Sequence, residues 1–452
     1  MMKRNLEQKG HRRFWWLLGV LLMMIMVRYA FQIDFPKVAF LAIIILIALL
    51  GDQNEIMAMC ICLIPMHESV DFFYAIAIII GTYVFKYHKQ IRLGPQILLT
   101  FLVIVWELLH CFRSSFSVVE FLTYVIPFAV LAIVMASNME ELDYAFVIRA
   151  FAWAVLGISL VMLLRVLYFS GFNFLVAVAN LQRMGSDLHS GIEETGVLGG
   201  AIHPNSLGII AVLAATGLMQ LRSMKVGRRS DMILMCVILV LAALGTSRTY
   251  LACLALMILL LIFDEPGGIK KKLQLIGILC LAVAGAAVAM AVIFPDTFEY
   301  YVSRFSVTDI TTGRDSLMVL YHRFITNNTN VLFFGIGLQD YGNRLINYYR
   351  VTDNVPHNSL QEIVVAWGIV GLVIFSVLFL IMFRSAYRKN RKLRLINWIP
   401  LIILVFKSMA GQMLTSAYTM LALCLAYLSM CTDFTPKGQI DFLPAQKPES
   451  GN

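Results

Sequence analysis

Long apolar runs recur along this chain and constrain its fold more than any other feature. Stretches of about 15 to 25 apolar residues follow one another with short polar segments between them, and charged residues make up 14% of the 452 residues. Soluble globular domains carry about 25% charged residues. In a bilayer, a helix of about 20 apolar residues spans the hydrocarbon core and satisfies its own backbone polar groups. The pattern therefore predicts an all-α polytopic membrane protein.

Twelve to fourteen of these runs are predicted to be transmembrane helices. The predicted spans cover residues 14–31, 37–50, 56–65, 72–85, 97–111, 118–135, 144–168, 205–221, 232–246, 249–263, 273–294, 359–382, 396–409 and 413–430. The run 56–65 is the shortest, and a re-entrant hairpin is the alternative to a crossing helix there.

The distribution of lysine and arginine predicts the orientation of the helices, because short cytoplasmic loops of membrane proteins are rich in these residues. The basic segment 1–13 falls on the same side as the basic clusters at 86–92, 222–229, 270–272 and 384–394. The formal net charge of +9 is thus attributed to topology and not to nucleic acid binding. We predict a cytoplasmic N-terminus (1–13), a transmembrane domain (14–431) with long external loops at 170–204 and 295–359, and a cytoplasmic tail (432–452).

Ionisable residues also interrupt the predicted spans, at Glu107, His110, Arg149, Arg165 and Lys407. Charged groups are costly in lipid and usually face the interior of a bundle or pair with one another. We therefore expect these side chains to be buried or paired. The eight cysteines lie in or beside apolar segments, and neither a disulfide framework nor a metal site is predicted from them.

The loop 295–359 is the longest polar interruption in the chain. It contains the cations Arg304 and Arg314 and ends in the sequence Pro-His-Asn-Ser (356–359) at the start of another apolar run. Guanidinium groups bind phosphate oxygens through paired hydrogen bonds and keep their charge. The loop therefore indicates a phosphate-bearing ligand, although arginines in a long loop can equally be solvated or paired with its acidic residues.

His357 is the candidate catalytic residue of this loop. Ser359 and Glu362 have the spacing of a capping box, which places His357 just before the first turn of a helix. The positive field of a helix N-terminus favours a neutral imidazole that can accept a proton. A neutral base beside fixed cations suits the attack of a hydroxyl on a sugar diphosphate without a metal. A purely structural role at the helix entrance is the alternative interpretation.

Two further arginines belong to the same predicted side. Arg248 lies in the sequence Gly-Thr-Ser-Arg-Thr (245–249), between two apolar runs that leave almost no loop. It is expected at the outer end of a tight helical hairpin, pointing inward or toward lipid phosphate. Arg183 lies in the loop 170–204, whose last residues are typical of a helix start with Asn205 or Ser206 as the cap.

Five short motifs occur in the order found in one known family. They are Pro204-Asn205, Thr246-Ser247-Arg248, Thr311-Thr312-Gly313-Arg314, Phe333-Phe334-Gly335-Ile336-Gly337 and Pro356-His357-Asn358-Ser359, the last followed by Gly368 and Gly371. Together they resemble the O-antigen ligase and polymerase family of bacterial membrane proteins. Many members of that family have an acidic residue where this chain has Ala366, and Glu362 on the preceding turn is its possible substitute.

The resemblance implies a helical bundle of the GT-C type in the bacterial cytoplasmic membrane, with a large external loop between late helices. Its activity would be that of a polysaccharide polymerase that needs no metal or cofactor. Such an enzyme transfers a glycan from an undecaprenyl-diphosphate-linked donor to a hydroxyl of a lipid-linked acceptor glycan on the outer face. Membrane lipids, a flippase and a chain-length regulator are the other implied partners.

The resemblance also implies roles for individual residues. His357 would be the general base that activates the acceptor hydroxyl. The diphosphate would be bound by arginines, namely Arg248, Arg314, Arg304 and Arg183. The supporting residues would be Asn358, Ser359, Glu362, Gly335 and Gly337.

Other functions remain open on the sequence alone. A ligase of the same family uses the same donor and passes the glycan to a lipid core. A flippase or transporter for a lipid-linked sugar belongs to another class, and it would predict paired broken helices with charged groups near the bilayer midplane. A sensor or assembly scaffold would leave His357, Arg248 and Arg314 without a common role.

Overall fold

The fold is described from a computed structural model. The described residues are 11–112, 117–138, 142–179, 200–245, 247–293, 295, 298–299, 302–303, 314–338, 357–409, 411, 414, 416 and 417–434. The structure is 81% helical, and no strand occurs among these residues. The predicted all-α class is therefore confirmed.

Seventeen α-helices make up the described structure. In chain order they are α1 (Arg12–Tyr29), α2 (Val38–Leu50), α3 (Gln53–Met66), α4 (Phe72–Tyr87), α5 (Pro95–Cys111), α6 (Val118–Ala136), α7 (Tyr144–Phe169), α8 (Phe174–Ala179), α9 (Pro204–Ser223), α10 (Arg229–Ala243), α11 (Arg248–Asp264), α12 (Ile269–Ile293), α13 (Arg314–Asn327), α14 (Thr329–Phe334), α15 (Ser359–Lys389), α16 (Leu395–Ser408) and α17 (Ala417–Cys431). Most of them coincide with the predicted apolar spans.

Three of these helices are long and apolar enough to cross a membrane, namely α7, α9 and α15. Several other helices are apolar but shorter, with 10 to 17 residues. A helix rises about 1.5 Å per residue, so a helix of 14 residues spans only about 21 Å of a hydrocarbon core that is about 30 Å thick. The structure thus supports a membrane protein, and the number of twelve to fourteen spans stays a prediction.

The run 56–65, the shortest of the predicted spans, is part of an almost completely buried helix, α3. α3 begins with a capping box in which Asp52 and Glu55 each accept a backbone hydrogen bond from the other residue. Every residue from Glu55 to Met66 is buried, and α3 packs against α7, α4 and α17. A helix that is apolar on all sides belongs inside a bundle, so this run forms the centre of the protein.

Contacts between helix termini define two ends of the bundle. At the near end, where α1 and α3 begin, His11 Nδ1 lies 3.0 Å from Glu55 Oε1. At the far end, where α1 and α3 finish, the Tyr29 hydroxyl donates to the Ser69 carbonyl oxygen over 2.9 Å. The Ser69 hydroxyl in turn donates to the Ala201 carbonyl oxygen over 2.6 Å, just before α9 begins. Among the predicted site residues that the structure describes, Arg248 and His357 belong to the far end, at the starts of α11 and α15.

The ionisable residues within the apolar runs behave as predicted. Glu107, His110, Arg165 and Lys407 are all buried. Arg149 forms a salt bridge of 3.1 Å with Asp231, the N-terminal acid of α10. Burial and pairing keep these charges away from lipid.

Candidate functional site

The start of α15 carries the predicted base, and its N-cap is Asn358. The Asn358 carboxamide oxygen accepts from the backbone N–H groups of Leu360 (3.0 Å) and Gln361 (3.2 Å). Asn358 has the extended backbone of an N-cap residue, whereas Ser359 is already the first residue of the helix. The predicted Ser359–Glu362 capping box is therefore wrong, because a neighbouring side chain that caps well occupies the position that the box requires.

Ser359 and Glu362 instead form hydrogen bonds between the start of α15 and the segment before α17. The Ser359 hydroxyl donates to the carbonyl oxygen of Gly411 over 3.1 Å. Glu362, which is fully buried, accepts from the backbone N–H of Leu414 over 3.0 Å. Each of these contacts joins residues about 50 positions apart in the chain. Both side chains thus support the site, through contacts other than the predicted ones.

His357 precedes this cap in a left-handed backbone conformation, with a φ of +47°. Such a φ is uncommon for residues other than glycine, although histidine and asparagine tolerate it better than most. It costs of the order of 1–3 kcal/mol, and strain of this kind often occurs at functional sites. Asn358 supplies the side-chain acceptor for the cap of α15, and His357 before it is partly buried.

The segment Gly335-Ile336-Gly337, which follows α14, packs against a break in α15. Gly368 has φ +67° and ψ −165°, and this non-helical residue interrupts the helix. The interruption leaves carbonyl groups of the preceding turn available. The backbone N–H groups of Ile336 and Gly337 donate to Val365 and Ala366 over 2.9 and 2.7 Å. We call this pairing of residues 333–338 with residues 365–368 the glycine interlock.

Glycine is required on both sides of the interlock. A Cβ atom on Gly335 would lie 2.3 Å from the carbonyl oxygen of Ala366, and one on Gly368 would lie 2.3 Å from the backbone of Phe333. Both glycines also have backbone angles that are almost restricted to glycine, with φ of +74° at Gly335. The structure therefore gives Gly335 and Gly337 a packing role, and it adds Gly368 as their partner.

Glu107 of α5 holds both halves of the interlock. Its Oε1 accepts from the backbone N–H of Leu338 over 2.9 Å, and its Oε2 accepts from the indole N–H of Trp367 over 2.6 Å. Trp106 donates its own indole N–H to the carbonyl oxygen of Trp367 over 3.3 Å. The carboxylate is fully buried. Sequence reasoning noted Glu107 as a charge within a span but did not connect it with the glycine motifs.

Lys407 is a second buried charge at the far end. Its ammonium lies 3.3 Å from the hydroxyl of Thr419 and 5.1 Å from the ring centroid of Tyr418, at the start of α17. Its Cε is 3.1 Å from the place that a Cβ atom on Gly411 would occupy. The carbonyl oxygen of Gly411 accepts the hydrogen bond from Ser359. Lys407 thus lies beside the segment that anchors the start of α15.

Of the four predicted arginines, the structure describes Arg248 and the backbone of Arg314. Arg248 is the first residue of α11, partly exposed, after the N-cap Ser247, and α11 packs against α16, the helix that ends in Lys407 and Ser408. The backbone of Arg314 begins α13, which is tied to α15 by a hydrogen bond of 2.9 Å from Gln361 to Met318. The side chain of Arg314, and Arg304 and Arg183 altogether, lie outside the described residues.

The start of α9 differs from the prediction in its cap. Pro204 is the first helical residue, as expected, but the N-cap is His203, whose Nδ1 accepts from the Asn205 N–H over 3.1 Å. The predicted cap at Asn205 or Ser206 is therefore wrong, because proline already places both residues inside the helix. His203 accordingly has a structural role.

One group of described side chains has the composition and spacing of metal ligands, and it lies at the near end. Ligand atoms of His11, Asp52 and Glu55 all lie within 4.8 Å of one another. The two carboxylates also form the α3 capping box, and His11 stacks on Phe146 with ring centroids 4.0 Å apart. The hydrogen bond to Glu55 raises the pKa of His11. Helix capping and an ion pair account for this group.

Fold and site together define an all-α protein with apolar helices of membrane-crossing length and a cluster of polar helix termini at one end. The sequence matches no protein-family model and none of the curated proteins with which it was compared. The likeness to the O-antigen ligase and polymerase family therefore stays a resemblance carried by the short motifs.

Proposed function

We propose that this protein is a bacterial membrane glycosyltransferase of the polysaccharide polymerase type, with its site at the far end of the bundle. The observation that carries the proposal is the arrangement at His357. This residue is held in a strained conformation directly before the N-terminus of α15, and the buried ammonium of Lys407 lies beside the same junction. Strained backbone and buried charge are both more frequent at functional sites.

The proposed reaction is a single displacement at the anomeric carbon of the donor glycan. The acceptor hydroxyl attacks this carbon while the His357 imidazole takes its proton. The bond from the carbon to the diphosphate oxygen breaks, and undecaprenyl diphosphate leaves with the bonding electrons. Arg248 and Arg314, with Arg304 and Arg183 as further candidates, would stabilise the charge on the leaving group.

The membrane side and the substrate belong to the proposal as well. The far end would face the outside of the cytoplasmic membrane, since the loops of the near end carry most of the lysine and arginine. The chain would form a GT-C-like bundle of twelve to fourteen spans, with undecaprenyl-diphosphate-linked glycans as both donor and acceptor. A ligase differs in the acceptor alone, and supplying a lipid-core acceptor instead of a second donor molecule separates the two activities.

The proposal is tested by incubating the purified protein with a lipid-diphosphate oligosaccharide and separating the products by length. A ladder of longer glycans is expected. His357→Asn is the sharpest variant, because asparagine tolerates a left-handed backbone but cannot act as the base. It should lower the rate by about 10²- to 10⁴-fold, the usual contribution of a general base. His322→Ala, at an exposed position on α13, is the matched control and should keep the wild-type rate.

Two outcomes would count against the polymerase. A full rate in His357→Asn would remove the base assignment. If none of the lipid-linked donors and acceptors that are supplied gives a longer product, the transferase proposal is refuted.

A transporter of a lipid-linked sugar is the second candidate, and the break in α15 is the observation that favours it. Gly368 lies nine residues after the start of α15, which corresponds to a depth of about 14 Å from the far end. Transporter sites are often built from paired discontinuous helices near the midplane. Among the described helices, α15 alone has a non-helical residue recorded in its interior. Movement of a fluorescent lipid diphosphate across proteoliposomes, without product formation, would support this candidate.

A further inference from the structure

The near end of the bundle contains a large cavity that the proposed site does not use. Its volume is about 2290 Å³, and it is lined by the start of α7, the start of α10 and the end of α15, together with α1 and α6. Pockets for single small molecules usually measure about 300–1,000 Å³. This cavity is therefore large enough for a bulky polar group, and it lies at the opposite end from His357.

Positive charge dominates the lining of this cavity. Among the described lining residues are seven lysines and arginines, namely Arg92, Arg149, Lys225, Arg228, Arg384, Arg388 and Lys389, against three aspartates, Asp143, Asp231 and Asp433. Asp231 is bound to Arg149, and Asp143 caps α7 by accepting from the Phe146 N–H. The lining still has four more cationic than anionic side chains, so the cavity favours an anion.

An apolar groove runs along α1 from the same end. It begins at Arg12 and passes Gly19, Val20, Met23 and Val27 before it reaches Phe35 beyond the end of the helix. From Arg12 to Val27 the helix rises about 22 Å, which exceeds the roughly 15 Å of one leaflet of the hydrocarbon core. The volume of the groove is about 750 Å³. Its dimensions suit an extended hydrocarbon chain.

Trp15 connects the two features, because it lines both the cavity and the groove. Amphipathic tryptophan rings are enriched where the headgroup layer meets the hydrocarbon. We propose that the near end binds an anionic phospholipid, with the phosphate-bearing headgroup in the basic cavity and an acyl chain in the α1 groove. Basic pockets between helices on the cytoplasmic side are known to bind anionic headgroups.

Charge complementarity selects this occupant over a zwitterionic lipid. A choline or ethanolamine headgroup would bring its own positive charge into a cavity that already has a net excess of cations, whereas phosphatidylglycerol would bring only negative charge. The groove selects a lipid over a free phosphate, because its lining is apolar apart from Arg12.

The groove half of the proposal is tested with a pair of glycine variants. A Cβ atom on Gly19 or on Gly277 meets no atom within 4 Å, so a phenylalanine should be accommodated at either position. Gly19→Phe fills the groove, whereas Gly277→Phe lies on α12, away from it. Native mass spectrometry of the full chain, titrated with long-chain phosphatidylglycerol, should show at least tenfold weaker binding for Gly19→Phe and wild-type binding for Gly277→Phe.

The charge half is tested with Arg384→Gln combined with Arg388→Gln, both at exposed positions that line the cavity. A matched control combines Arg222→Gln with Lys270→Gln, which are exposed but do not line it. Each cation removed should lower the affinity about fivefold. The variant with Arg384→Gln and Arg388→Gln should therefore bind phosphatidylglycerol roughly 25-fold more weakly. Phosphatidylcholine should bind more weakly than phosphatidylglycerol to the wild type.

The outcomes separate lipid from phosphate and from non-specific charge. Inorganic phosphate at millimolar concentration should displace little of the lipid from the wild type. Efficient displacement, together with full lipid binding by Gly19→Phe, would show a phosphate site and overturn the proposal. Equal affinity for the two phospholipids, or equal loss in the two double variants, would overturn it as well, since the cations would then act without the cavity.

Discussion

Replacing Gly368 by alanine tests the glycine interlock and should destabilise the protein strongly. The φ of +67° and ψ of −165° fall in a region that is almost restricted to glycine, at a cost of about 1–3 kcal/mol for another residue. The new Cβ would also lie 2.3 Å from the backbone of Phe333, so the two segments must separate. Separation breaks the hydrogen bonds from Ile336 and Gly337 to α15, each worth about 0.5–1.5 kcal/mol. The sum is about 2–6 kcal/mol.

The measurement is thermal unfolding in detergent. Its readout is the amount of monodisperse protein that remains after heating to each temperature. Gly368→Ala should unfold several degrees below the wild type, and Gly335→Ala should behave similarly, since its Cβ would meet the carbonyl oxygen of Ala366 at 2.3 Å. The double variant should lose less than the sum of the two, because both act on one interface. Gly277→Ala is the control, and an open helical position should gain about 0.5–1 kcal/mol.

The reasoning would be refuted if Gly368→Ala unfolded at the same temperature as Gly277→Ala. A backbone that accepts alanine at this position without loss cannot hold residues 333–337 at the distances described. Additive losses in the Gly335 and Gly368 double variant would also contradict a shared interface.

Two further predictions concern a buried carboxylate and a histidine that is paired with one. Glu107→Gln should cost about 1–3 kcal/mol, because an amide N–H then faces either the Leu338 N–H or the Trp367 indole N–H; an unchanged unfolding temperature would contradict this contact. His11→Gln should alter the pH dependence of stability. The pKa of His11 is raised above 6.5 by its hydrogen bond to Glu55, so its stabilisation is fully present below the ordinary pKa and is lost as pH rises through the raised one. Unfolding temperatures between about pH 5.5 and 8.5 should show this loss in the wild type, and the same loss in the variant would contradict the pairing.

The helix starts illustrate how far local sequence rules reach. The rules correctly placed helix starts near Pro204 and Ser359, since proline and capping residues act within one turn. They assigned the wrong capping residues in both cases. At α15 the neighbouring Asn358 is the cap. The Ser359 hydroxyl and the Glu362 carboxylate instead bind the backbone at 411 and 414, which no local rule brings close.

The role of the glycines shows the same division. A Gly-Ile-Gly sequence in a polar segment predicts a turn, but the reason for glycine at Gly335 is the close approach of α15 at Gly368. Equally, an apolar run of ten residues does not tell whether it crosses a bilayer or fills a core. The burial of α3 on every side was decided by the helices around it.

The sequence by itself determined that this protein is helical, apolar and suited to a membrane, because hydrophobic length and the need to satisfy backbone groups leave few other folds. It also identified His357 and the glycine motifs as features that need an explanation. Only the tertiary structure decided that Gly335 and Gly368 meet in the glycine interlock and that Glu107 binds both of its halves. It also placed Lys407 beside the start of α15. The physical reason is that these contacts join residues from about 30 to more than 200 positions apart, and their energies depend on backbone approaches of a few ångströms that no local pattern encodes.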